Sequence, residues 1–190
     1  MELWSHNRTP GLSYARIAYH YARPGAIDDH RGLMPGDLKI PALPAREPKA
    51  VGGAAGAKFH YPDALGLTAT SGKVETVSFP LATQLKIALW HAEKGAQLKF
   101  SLPVEQTGRA GIRLVAVHRP EGATVRVLLD GKPLLTDGGG EAIRLKSAHA
   151  SRVLNVHFQP TELRAGTHEI TLECVESGLV GLDYVWVKKQ

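Results

Sequence analysis

Three tryptophans and five tyrosines are the side chains whose type suits recognition of hydroxylated rings. A flat aromatic face packs against the C–H surface of a pyranose or furanose, and a few polar groups nearby fix orientation. The rings available are Trp4, Tyr14, Tyr19, Tyr21, Tyr61, Trp90, Tyr184 and Trp186. Trp90 stands beside His91 at what reads as a strand end, which makes this pair the best candidate for an exposed platform. Tyr19 and Tyr21 alternate on one face of a strand-like run and are further candidates. Tyr184 and Trp186 alternate on the last strand, and a shared core face is the expected fate of both. Asp183, between Leu182 and Tyr184, is expected to point away from them and tie down a neighbouring loop.

Asp28, Asp29, His30 and Arg31 form a polar knot behind Pro24-Gly25. Such a cluster could hold a metal through oxygen and imidazole. It reads more simply as a loop whose Asp side chains bond their own backbone, with sugar contact by Asp28 and Asp29 as a third reading, so no metal is assigned. The nine histidines show no ligand spacing; His91 and His118 read as strand-end or loop residues, and the His168 ring is expected to pack. No Gly-x-Ser-x-Gly elbow supports a serine nucleophile. Gly138-Gly139-Gly140 reads as a loop rather than a phosphate cradle. Cys174 is the single cysteine, so no internal disulfide or multi-cysteine metal site exists, and its alternating neighbours predict a buried, inert thiol. None of these motifs implies a cofactor.

Net charge is +5, yet lysine and arginine are scattered with no basic stripe, which argues against a nucleic-acid partner. No apolar run of about 18 residues is present, so no membrane-spanning helix is expected. Met1–His6 lacks the charged and apolar regions of a secretion signal; as given, the chain is expected to stay where it is made, in the cytoplasm, its localisation otherwise unknown. A hydrophobic content of 43% and a charged content of 22% are ordinary globular values that exclude global disorder.

Three zones position these residues. Residues 1–23 contain two strand-like runs, Glu2-Leu3-Trp4 and Ser13–Tyr21, around the turn-forming Asn7–Gly11, and predict a β-hairpin that needs a partner sheet. Residues 24–73 are a Pro/Gly-rich connector in which Leu33, Leu38, Ile40 and Leu43 supply enough apolar anchors for docking on a surface. From residue 74 to 190 short strands alternate with turns. The expected strands are Val74–Phe79, Leu85–Trp90, Gln97–Leu102, Gly111–His118, Thr124–Leu129, Arg152–Gln159, Gly166–Cys174 and Gly181–Val187. Asp130-Gly131 is a strong signal for a two-residue hairpin turn, and Glu141–His149 reads as a short helix or a loop. Regular short strands with this punctuation predict an all-β chain built on a sandwich or barrel.

Two stretches carry resemblances. Leu89-Trp90-His91, Gly95–Phe100, Gly108–Leu114, Val125–Leu134 with its Asp130-Gly131-Lys132 hairpin, Leu163-Arg164-Ala165-Gly166-Thr167-His168, and Gly181-Leu182-Asp183-Tyr184 follow one another in the order seen in the galactose-binding-like jelly rolls of carbohydrate-binding modules. That resemblance implies a jelly-roll β-sandwich. Met1–Trp4 followed by Tyr14–Gly25 resembles the last strands of the catalytic core in bacterial double-jelly-roll glycosidases, the α-fructofuranosidase and difructose dianhydride synthase group. His20 stands where that family usually has tryptophan. This second resemblance implies that Glu2 matches a catalytic acid whose partner carboxylate would lie upstream, outside this chain. Glycoside cleavage normally needs two facing carboxylates, so the isolated chain is expected not to be an enzyme.

The expected function is therefore a non-catalytic, carbohydrate-associated accessory domain of a glycosidase-like protein. The alternative is a structural or oligomerisation module that buttresses a catalytic jelly roll without binding sugar. The unpaired N-terminal hairpin predicts self-association or pairing with an upstream glycosidase-like chain.

Overall fold

A computed structural model describes residues 56–148 and 151–190, and the structural statements below concern those residues. Glu2, Tyr19, Tyr21, Asp28 and Asp29 lie outside them, as do the predicted hairpin of residues 1–23 and the Pro/Gly-rich stretch up to residue 55.

Short apolar-alternating runs become strands wherever one face can be buried. In Gln97–Val104 (β5), Leu98, Phe100, Leu102 and Val104 are buried while the residues between them are not. Thr124–Leu129 (β7) and Gly166–Glu176 (β12) continue that inward row with Val125, Val127, Leu129, Ile170, Leu172 and Cys174. Together with Thr68–Ala69 (β2), Lys132–Pro133 (β8) and Ala142–Arg144 (β9), they form a six-stranded antiparallel sheet, β2-β5-β12-β7-β8 with β9 also on β7.

The facing sheet has seven strands. Its path is Arg152–His157 (β10), Gly108–His118 (β6), Gly178–Lys189 (β13), Lys86–Ala92 (β4) and Val74–Ser78 (β3), with Ala57–His60 (β1) on β13 and Thr161–Leu163 (β11) on β6. The inward faces of the two sheets close over one core that includes Trp90, Leu98, Phe100, Leu114, Leu172 and Leu182. Each such side chain contributes roughly 1.5–3 kcal/mol on burial. This is the all-β sandwich that the strand pattern predicts.

All eight expected strands are present, some longer than expected. The sandwich begins earlier than the sequence boundary at residue 74. β1 pairs with β13 from Ala57↔Lys188 to His60↔Val185, and β2 pairs with β5. A single turn of helix, Pro62–Leu65 (α1), links them and ends at Gly66 in the left-handed conformation. In the stretch read as helix or loop, Ala142–Arg144 is a strand, because Ile143 opposite Val125 fills the core. Asp130 and Gly131 turn the β7–β8 hairpin with φ of 49° and 77°, the positive values a type I′ turn requires.

The last strand holds the main irregularity. The register of β13 on β6 slips between Leu182 and Tyr184, a β-bulge at Asp183. Before the bulge Val180 and Leu182 face the core; after it Val185 and Val187 do. Tyr184 and Trp186 therefore share a face, as expected, but it is the outer face of the seven-stranded sheet. There they form a second buried cluster with Val115, against which Phe59 and Tyr61 pack. The ring centroids of Phe59 and Tyr61 lie 5.7 and 5.8 Å from that of Tyr184, and the Arg113 guanidinium sits 4.6 Å above Trp186.

Asp183 is fully buried and does tie down a loop. Its carboxylate accepts from the Thr83 amide at 3.0 Å and the Thr83 hydroxyl at 3.1 Å. Thr83 belongs to residues 79–85, whose Phe79 and Ala82 cover Ile87, Leu89 and Val117 on the same outer face. Burial pushes the Asp183 carboxyl above its ordinary range against the lowering effect of the two Thr83 donors. Cys174 is buried, and burial raises its thiol too, as an inert core residue requires. Among the described residues no helix is long and apolar enough to cross a membrane.

Candidate functional site

The Trp90–His91 pair splits across its sheet. Alternation along β4 turns Ala88, Trp90 and Ala92 inward and Ile87, Leu89 and His91 outward. Trp90 has no exposed surface, and its indole N–H donates to the Ser71 carbonyl at 2.9 Å. The expectation of an exposed Trp90 platform is corrected: the ring is a core residue that also anchors the turn before β3. No other described aromatic provides the missing platform, since Phe100, Phe158, Tyr184 and Trp186 are buried and Phe59, Tyr61 and Phe79 are partly so.

His91 is exposed and lies in a depression at one end of the seven-stranded sheet. That shallow surface holds about 450 Å³ and is lined by Gly72, Lys73, His91, Glu93, Glu121 and Leu179, among others. Four chain segments build it. The turn into β3 approaches β4 so closely that a Cβ on Gly72 would stand 2.0 Å from the His91 carbonyl oxygen, while φ at Gly72 is +80°. The His91 amide bonds the Lys73 carbonyl at 2.9 Å. The β6–β7 connection is stitched to the start of β13, with the Leu179 amide donating to the Glu121 carbonyl at 2.7 Å and the Ala123 amide to the Leu179 carbonyl at 3.1 Å. Backbone contacts thus fix where His91, Glu93 and Glu121 emerge.

The polar groups are mutually oriented. His91 Nε2 is 3.1 Å from Glu75 Oε1, and Lys73 Nζ is 2.5 Å from the other oxygen of Glu75. Hydrogen bonds from Lys73 and His91 hold the Glu75 carboxyl below its usual range. Glu93 accepts from the Ser71 hydroxyl at 2.9 Å, and Glu121 from Arg119 at 3.3 Å. Such an array can accept hydrogen bonds from hydroxyls and donate through imidazole and ammonium. Alternation could have placed His91 outward from the sequence. Glu93, Glu121 and Lys73 could not be found that way, because three separate connections bring them together.

A second depression of about 380 Å³ opens at the opposite end, between the sheets, over Val104, Ala110 and Val187. Its rim groups bond one another, Lys58 with Glu105 at 3.1 Å and Lys189 with Gln106 at 3.4 Å. Burial lowers the nearby His60 imidazole below its ordinary value, against the raising influence of Glu105. Among the described residues no group of three or more acidic, His or Cys side chains is placed to hold a metal ion.

This architecture has counterparts among solved structures. A family 35 carbohydrate-binding module from Clostridium thermocellum superposes with a TM-score of 0.52 at 14% identity, covering 70% of this chain and 98% of that one. The family 35 module from an environmental isolate gives 0.54 at 15% identity over 70% and 93% of the two chains. The fold is that of a carbohydrate-binding module. A Paenibacillus xanthan lyase matches with a TM-score of 0.61 at 13% identity, over 70% of this chain but 13% of its own. No protein-family model matches the sequence, and no curated protein is similar to it. At these identities the likeness defines the fold, as the galactose-binding-like resemblance implied; the residues that carry the double-jelly-roll glycosidase resemblance lie outside the described residues.

Proposed function

We propose that the sandwich is a non-catalytic carbohydrate-binding domain, the accessory C-terminal part of a glycosidase-like protein, and that it takes its ligand at the depression around His91. The observation that carries this reading is the convergence of His91, Glu93, Glu121 and Lys73 on one open surface, on a scaffold shared with carbohydrate-binding modules. Hydroxyl-rich ligands suit a shallow site in which carboxylates accept and imidazole and ammonium donate. Without an exposed described ring to stack on, recognition rests on hydrogen bonds. The ligand is accordingly a chain end or side branch that offers its hydroxyl edge, not a flat stacked chain. Affinity electrophoresis of the full chain through gels containing soluble polysaccharides tests this. Retardation by at least one polysaccharide, relieved in His91→Ala and Glu93→Gln, is expected; unretarded migration across a broad panel contradicts it.

A second reading, a buttress for a catalytic jelly roll that binds no sugar, is favoured by the same lack of an exposed aromatic among the described residues. It predicts self-association or capture of an upstream glycosidase-like chain. Light scattering distinguishes it: under this reading the full chain is oligomeric and migrates unretarded in every gel. The possible part of Glu2 in cleavage is answered by an assay on fructofuranosides and arabinofuranosides, where no turnover is expected.

A further inference from the structure

The β7–β8 hairpin carries an ionic arrangement distant from the His91 depression. His168, the third residue of β12, presents both ring nitrogens to acceptors: Nδ1 lies 2.6 Å from Asp130 Oδ2 and Nε2 lies 2.8 Å from the Arg164 carbonyl oxygen. A neutral imidazole carries one N–H and can satisfy one of these acceptors; only the imidazolium donates to both. The second Asp130 oxygen accepts from the Glu169 amide at 2.9 Å, and the Asp130 amide donates to the Glu169 carbonyl at 2.8 Å. One carboxylate and one ring thus clamp three segments: the hairpin turn, the β11–β12 turn and the first residues of β12. The His168 side chain is 13% exposed, so water competes weakly for its nitrogens while protons still reach it.

We infer that Asp130 and His168 form a proton-operated latch, which fastens the Asp130-Gly131 turn to β12 while the ring is doubly protonated and releases it when the ring loses a proton. The surrounding charges are few. Lys132 on β8 acts on Asp130 through its charge alone, and Lys99 on β5 is engaged by Glu169 at 3.1 Å, which leaves Asp130 as the carboxylate paired with the ring. Burial pulls the His168 imidazole down, but the Arg164 carbonyl and the Asp130 carboxylate outweigh it and leave the ring above its ordinary value. The His168 hydrogen bond in turn draws the Asp130 carboxyl below its own, despite some desolvation. The sign follows. A raised imidazole contributes stability that is present below the pKa of an unfolded histidine and is lost as pH rises through the folded value; a lowered carboxylate contributes stability that is lost as pH falls through its folded value. The latch is closed between those two limits. His168 itself also lines a surface depression, together with Thr68, Lys99, Ser101, Thr167 and Glu169.

Histidine-selective NMR titration of the full chain tests the latch. In the wild type the His168 midpoint lies above that of an ordinary histidine, and the Asp130 and Glu169 amides lose exchange protection as pH passes through it. Asp130→Asn tolerates the left-handed conformation that Asp130 adopts at φ 49°, so it removes the charge without straining the turn, and it lowers the His168 midpoint. His168→Gln abolishes the pH-dependent loss of protection. A wild-type midpoint at or below the ordinary value, a midpoint unchanged in Asp130→Asn, or a protection step that persists in His168→Gln overturns the inference.

Discussion

The outer faces of the two sheets are built to opposite specifications. On the seven-stranded sheet the outward side chains of β4, β6 and β13 include Ile87, Leu89, Val115, Val117, Tyr184 and Trp186, all buried. On the six-stranded sheet the outward positions of β5, β7 and β12 include Lys99, Ser101, Arg126, Glu169 and Glu173, joined as Lys99–Glu169 and Arg126–Glu173 ion pairs at 3.1 Å each. The first sheet lies between two apolar layers and the second between core and water. Among the described residues, aromatic side chains therefore pack on the outer face of the seven-stranded sheet, while ion pairs occupy that of the six-stranded one.

The comparison breaks most visibly at Trp186. Trp186→Ala removes a 9%-exposed ring from under Arg113, and a loss of about 3–5 kcal/mol in urea denaturation is expected; a loss below 1 kcal/mol would mean that the outer layer is not a core. On the other sheet the turns matter more than the face. A Cβ at Gly131 meets no atom within 4 Å, but Gly131→Val forces a β-branched residue to φ 77°, so about 1–3 kcal/mol of backbone strain is expected, and an unchanged melting temperature would contradict the type I′ turn.

Asp183 sharpens the contrast through pH. Its folded-state pKa is raised, so its contribution is present below the ordinary aspartate value and is lost as pH rises through the folded one. Asp183→Asn keeps an acceptor for the Thr83 amide and cannot ionise. The wild type is expected to lose stability relative to this variant between acidic and neutral pH, and parallel thermal melts across that range would refute the assignment. The smallest effect is expected from Lys99→Ala: both partners of its ion pair are substantially exposed, at 41% and 52%. Such a pair contributes about 0–1 kcal/mol, less at high salt.

The same contrast explains what the sequence disclosed. The strands of the six-stranded sheet alternate plainly, as Gln97–Val104 and Thr124–Leu129 show, and their inward rows could be read directly. Lys86–Ala92 and Gly178–Lys189 are nearly continuous apolar runs, because both of their faces are covered. In such a run nothing local states which ring faces the core, and Trp90 was accordingly misplaced outward. The bulge at Asp183 reverses the parity of β13, so Tyr184 and Trp186 share a buried face but not that of Leu182. Short strands such as Ala57–His60 and Thr68–Ala69 carry too few residues for a period to show, and Pro and Gly nearby made their surroundings look like connector. The Asp130-Gly131 turn was legible because its geometry demands residues that tolerate positive φ. His91 was legible by position, whereas Glu93 and Glu121 join it only through backbone contacts between distant loops.

Mapping a ligand by amide chemical-shift perturbation tests the central claim most directly. A polysaccharide fragment selected by gel retardation is titrated into the labelled full chain, and the shifted amides are located. The account predicts perturbations concentrated at residues 72–73, 91–93, 121 and 178–179, lost in Glu93→Gln. Perturbations confined to residues 56–58 and 103–106 at the opposite end, or spread over the charged face of the six-stranded sheet, would contradict it.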